Sequence, residues 1–117
     1  MSTLTTQSRS RPRVSRERIQ RLADEIGRKF HPKKVILFGS YARGDARTDS
    51  DVDLFILLRT GTRGVTSLRI HLAIEYDFGL DLVVLSERKF VERLAESDFF
   101  LMDIVEQGVV LYEEADR

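Results

Sequence analysis

The chain has 117 residues, in which 19 Lys and Arg are balanced by 19 Asp and Glu. That length allows one domain with a single core and no separate substrate domain, and the zero net charge lacks the overall basic footprint of a dedicated nucleic-acid binder, so nucleic acid is not expected as a direct partner. There is no cysteine, which excludes disulfides, thiolate metal sites and cysteine nucleophiles, and no leader-like or membrane-length apolar run, so a soluble cytoplasmic protein without a membrane partner is expected.

Charge is placed unevenly. Residues 1–13 carry Arg9, Arg11 and Arg13 among Ser and Thr with no acid, the composition of a flexible basic tail, and residues 113–117 form an acidic C-terminal tail. Ser15 can cap a helix whose apolar positions Ile19, Leu22, Ala23, Ile26 and Phe30 share one face, with Val14 and Ile19 as a hydrophobic staple. His31-Pro32 ends that helix, and Val35 to Phe38 reads as a strand broken by Gly39. A second strand covers about Asp51 to Leu58, followed by a loop, Thr60 to Gly64.

The next helix is expected from about Val65 to Asp77, with Gly79 as its stop. Val65, Leu68, Leu72 and Tyr76 form the expected core stripe, which leaves Ile70 and Ile74 on nearly the opposite side as surplus apolar surface for a partner. A third strand follows, Leu80 to Leu85. Ser86 caps a short helix through Phe90, Val91 and Leu94, and a last helix runs from about Asp98 to Gln107 and stops at Gly108. In it Leu101, Ile104 and Val105 are expected to face the core and Phe99 to point away. Val109 to Tyr112 closes as a short strand. This alternation indicates an α/β (α+β) domain with helices packed on a small mixed sheet.

The stretch between the first two strands reads FGSYARGDARTDSDVDL. Side chains alternate along a strand, so Asp51 and Asp53 share one face while Val52 and Leu54 take the other. Two carboxylates so placed raise each other's pKa unless a cation lies between them, and hard oxygen ligands with no His or Cys nearby favour Mg²⁺ or Mn²⁺ over zinc. Asp81 interrupts the otherwise apolar strand Leu80 to Leu85, where an unpaired buried carboxylate would be costly. Beside the second strand it would complete a three-carboxylate cluster able to hold two metal ions; otherwise it caps a strand end or pairs with Arg43 or Arg69. Gly39 permits a sharp turn and close approach of a phosphate, Ser40 offers a hydroxyl and an N–H, and Arg43 can complement a phosphate or form a structural ion pair. His31 and His71 read as surface residues, and Tyr41 as packing the turn.

Gly39-Ser40, ten residues, then Asp51-Val52-Asp53, with the later LDLVV strand, resembles the signature of the DNA polymerase beta-type nucleotidyltransferase superfamily. Within it, the short length and the GSYARG and SDVDL wording resemble the minimal nucleotidyltransferase (MNT) domains, over about residues 14–112. The resemblance implies the polymerase beta-like nucleotidyltransferase fold, with Asp51, Asp53 and Asp81 as catalytic residues holding two Mg²⁺ ions, and a nucleotide-binding turn at Gly39 and Ser40, to which Arg43 adds a candidate phosphate contact. It further implies an antitoxin that transfers AMP from ATP to a tyrosine hydroxyl of a HEPN-type RNase toxin. Two alternatives stand beside it: an antitoxin that blocks its toxin by contact alone, and a small-molecule nucleotidyltransferase working as a homodimer.

Overall fold

The computed structural model describes residues 13–115, so the basic tail expected at the N-terminus lies, Arg13 apart, outside the described residues. The chain runs α1 (Arg16–Phe30), β1 (Lys34–Phe38), α2 (Ser40–Arg43), β2 (Val52–Leu58), α3 (Ser67–Ala73), β3 (Leu80–Ser86), α4 (Glu87–Ala95), α5 (Phe99–Gln107) and β4 (Val109–Glu113). Its four strands form one mixed sheet in the order β3-β2-β1-β4. β1 is antiparallel to β2 and to β4, and β3 runs parallel to β2. The α/β expectation holds, and the strands lie within a residue or two of their expected limits.

The ends of the helices follow from local chemistry. The Ser15 hydroxyl accepts from the Arg18 N–H at 3.2 Å and starts α1, while Val14 and Ile19 are both buried beside it, as the staple requires. His31 adopts a left-handed conformation at φ 51° and returns its N–H to the Gly27 carbonyl before Pro32. Ser86 starts α4 and Asp98 starts α5 in the same way, through Lys89 and Leu101.

Alternation along β2 divides the core in two. Val52, Leu54, Ile56 and Leu58 pack with α1 residues Ile19, Leu22, Ala23 and Ile26 and with Ile70 and Ile74 on one face. Phe55 and Leu57 pack on the other face with Ile36, Leu101 and Ile104, against which Phe90 and Leu94 of α4 also lie. Nearly every side chain of β2 is therefore covered, and each fully buried aliphatic or Phe side chain contributes roughly 1.5–3 kcal/mol. Asp53 is the exception within the strand.

The sequence expectation for α3 is reversed. The helix is seven residues long rather than thirteen, and its inward residue is Ile70, wholly buried, with Ile74 at its C-terminal cap 6% exposed. Of the expected core stripe, Val65 is partly buried against the core, but Leu68 and Leu72 are 67% and 79% exposed. The cause is length: a two-turn helix has room for one inward row, and the chain turns extended at Ile74 before Tyr76 can continue the other. Gly79 therefore does not stop this helix. Val105 of α5 is likewise exposed, contrary to expectation, because Leu101 and Ile104 already fill the contact with the sheet; Phe99 faces solvent as expected.

This reversal is open to measurement by chemical denaturation. Ile70→Ala should destabilise the domain by about 2–5 kcal/mol, the usual range for emptying a closed apolar site. Leu68→Ala should stay within about 0.5 kcal/mol of wild type, as expected of a surface position.

Candidate active site

The C-terminal end of β1 and the N-terminal ends of β2 and β3 meet at one end of the sheet. Parallel pairing sets Asp53 directly beside Asp81, and antiparallel pairing sets Asp53 beside Phe38, the residue before Gly39. Neighbouring residues in register point to the same face, so Asp53 and Asp81 project together on the side that carries α4 and α5 farther along the sheet. At this end no helix covers Asp81, which is exposed, while Asp53 is half-buried. The premise that Asp81 lies in a buried strand is corrected here, since β3 is at the edge of the sheet.

Two glycines make this crowding possible. Gly39 has φ 75° and lies so close to the Asp53 carboxylate that a β-carbon there would overlap it. A β-carbon on Gly79 would overlap the Asp51 carboxylate in the same way. Val52 donates to the Gly79 carbonyl at 2.9 Å, which locks the start of β2 to the chain entering β3. Gly79 is thus a site residue that the sequence reading took for a helix stop. Its position two residues before Asp81, on the same strand face, is the signal that could have exposed its role.

The electrostatics centre on Asp53, whose pKa is raised to about 6. Burial is the largest cause, followed by the negative charges of Asp81 and Asp51 and by a side-chain hydrogen bond with Asp81, while Arg43 acts in the opposite sense. The ionised form of Asp53 is therefore disfavoured in the protein alone, and a nearby cation would relieve the repulsion from its neighbours. Asp51 acts on the pair through its charge. Among the described residues, no three His, Cys, Asp or Glu side chains are grouped so as to hold a metal ion as they stand.

Ser40 opens α2, whose first N–H groups have no acceptor within the helix. Its carbonyl accepts from Gly44 and Asp45 at 3.0 and 3.1 Å, which closes the turn tightly. Arg43 is exposed, 3.5 Å from the Asp45 carboxylate. Tyr41 packs this turn, its hydroxyl accepting from the Val14 N–H at 3.0 Å and so tying the turn to the head of α1. His31 is exposed and stands 3.5 Å from Glu114, and His71 lies 2.6 Å from the Tyr76 hydroxyl, both away from the carboxylates. A hollow of about 130 Å³ opens beside the cluster, lined by Tyr41, Ser50, Phe78 and Gly79 together with Arg18, which is paired with Asp77 and lies over the Phe78 ring.

Residues 20–117 match the family described as Polymerase beta, Nucleotidyltransferase. A Methanocaldococcus jannaschii protein named as a "putative protein adenylyltransferase" is 39% identical over 80 residues, which span 68% of this chain and 78% of that protein. Two solved structures share the fold. One is a "putative nucleotidyltransferase" from Sulfolobus solfataricus, 22% identical with a TM-score of 0.53, covering 82% of this chain and 78% of its own. The other is a chain of a toxin–antitoxin solved with AMP-PNP, 23% identical with a TM-score of 0.54, covering 81% of this chain and 73% of its own. The family match takes in all four strands and the whole carboxylate end of the sheet, and the chain belongs to the Polymerase beta, Nucleotidyltransferase family.

Proposed function

We propose that this chain is an antitoxin nucleotidyltransferase that transfers AMP from ATP to a tyrosine hydroxyl of a HEPN-type RNase toxin in the cytoplasm and so neutralises it. The observation that carries the reading is the pairing of Asp53 with Asp81 beside the Gly39–Ser40 turn, in a chain of this family. The relative named for protein adenylyltransfer and the toxin–antitoxin neighbour support a protein as acceptor.

The donor set of Asp51, Asp53 and Asp81 is carboxylate oxygen throughout, which fits a hard divalent cation such as Mg²⁺. The raised pKa of Asp53 fits it too, because the negative charges of Asp81 and Asp51 that help raise it are the repulsion that a cation would relieve. Held by these three residues, Mg²⁺ would supply positive charge against the triphosphate and the developing transition-state charge. In the proposed reaction the tyrosine oxygen attacks the α-phosphorus of ATP, the bond from that phosphorus to the bridging oxygen breaks, and pyrophosphate leaves. Asp81, exposed at the sheet edge, takes the phenolic proton. Gly39 and Ser40 hold the leaving phosphates through backbone N–H groups and the Ser40 hydroxyl, and Arg43 adds positive charge beside them.

Incubation of a cognate HEPN-type protein with this chain and ATP should give a toxin peptide that has gained the mass of AMP on tyrosine. Asp51→Asn with Asp53→Asn should lower incorporation by roughly 100-fold or more, the scale on which lost electrostatic stabilisation acts. Toxin silenced by binding with no AMP attached would instead identify an antitoxin that acts by contact alone.

The raised pKa of Asp53 gives a second expectation. A carboxyl that holds its proton more tightly when folded contributes stability that is fully present below its unfolded value near 3.8 and lost as pH rises through about 6. In metal-free buffer, Asp53→Asn should therefore raise the melting temperature at pH 8 and change it little at pH 4. Equal effects at the two pH values in thermal unfolding would count against this reading of the pair.

A further inference from the structure

We infer that the acceptor protein docks on the exposed side of α3 and the adjoining free edge of β3, offering there an acidic surface with apolar side chains. The inference rests on the carboxylate end of the sheet being a nucleotidyl-transfer site, and adds where its partner is held. The order across the sheet gives the direction. Gly39 and Ser40 follow β1, Asp51 and Asp53 belong to β2, and Asp81 lies on β3, so the phosphate turn and Asp81 flank the β2 carboxylates from opposite sides. In-line displacement puts the entering and leaving oxygens on opposite sides of the phosphorus. With the leaving phosphates at the β1 turn, the acceptor hydroxyl enters from the β3 side.

That side is built to receive a protein. Among the described residues β3 has a strand neighbour on one side only. The Ser67 hydroxyl, in the first residue of α3, donates to the Leu82 carbonyl at 3.3 Å, which fastens the helix beside β3. The helix lies on the face opposite the Asp53 and Asp81 carboxylates, so a partner seated on α3 reaches them round the free edge of β3. Leu68 and Leu72, one turn apart, are then left 67% and 79% exposed on the same side of the helix.

Charge says what covers them. Residues 59–73 carry Arg59, Arg63 and Arg69 and no Asp or Glu. Arg59 is engaged with Glu114 at 3.0 Å, whereas Arg69 donates to the Gly64 carbonyl, and among the described residues neither Arg63 nor Arg69 meets a carboxylate. Two exposed leucines beside two uncompensated arginines fit a partner with apolar and acidic groups. A second exposed apolar surface, Phe99 and Val105 on α5, carries Asp103 and Glu106 instead. Its helix packs over β1, with Phe100 edge-on to Phe38 at 5.5 Å, and so lies on the leaving-group side.

The test compares two double variants of the full chain, Leu68→Glu with Leu72→Glu and Phe99→Asp with Val105→Asp, for calorimetric binding to the cognate HEPN-type protein and to ATP. The α3 variant should lose roughly 100-fold or more in affinity for the HEPN-type protein, as expected when two central apolar anchors are removed. It should keep ATP binding and thermal stability within experimental error of wild type. The α5 variant should bind both as wild type does. Wild-type affinity in the α3 variant, or loss confined to the α5 variant, would overturn the docking assignment. A wild-type chain that does not bind the HEPN-type protein at all would overturn it together with the functional reading. Binding that depends on Leu68 and Leu72 without AMP transfer would uphold the docking and overturn only the chemistry.

Discussion

The parallel pairing of β2 with β3 is the constraint on which the site depends, because it sets Asp53 beside Asp81. Two like charges at that separation repel, and burial of Asp53 adds to the penalty, so folding alone gives no reason to place them there. The remainder of the domain supplies the reason they stay. Val52, one residue before Asp53, is fully buried, as are Leu54, Phe55 and Ile56, and their burial on both faces fixes the strand whatever the carboxylates prefer. Strain local to one end of the sheet is thus sustained by apolar packing along its length.

The glycines extend the same logic. A side chain at position 39 or 79 would displace a carboxylate, so these positions take the one residue that leaves room. Gly39 also needs its positive φ to turn the chain from β1 into α2. Elsewhere a glycine serves packing: a β-carbon on Gly27 of α1 would overlap the ring of Tyr112 on β4, which shows how closely that helix lies on its strand. In so small a domain the same few strands build the core and aim the acids.

Much of this was legible in the sequence because the signals were local. The Ser15, Ser86 and Asp98 caps act over three residues, and the Asp51–Asp53 spacing with its Gly-Ser turn is contiguous with the strands that carry it. What was not legible depended on tertiary packing. The stripe Val65, Leu68, Leu72, Tyr76 and the row Ile70, Ile74 are equally good apolar faces by spacing, and only the length of α3 and its placement against β2 and β3 decide between them. Asp81 looked buried because its strand is apolar, and it is exposed because that strand is an edge, which no spacing reveals. Gly79 gave a stop signal that was real in composition and wrong in role.

The central proposal is that Asp51, Asp53 and Asp81 hold a divalent cation, which binds in competition with the proton that the raised pKa gives Asp53. Calorimetric titration of the metal-free protein with Mg²⁺, repeated in buffers of different ionisation enthalpy, counts the protons released on binding. With Asp53 at about 6, roughly half a proton per protein should be released at pH 6 and almost none at pH 8, and the release should vanish in Asp53→Asn. Binding at pH 6 without proton release, or the same release from Asp53→Asn, would contradict the account.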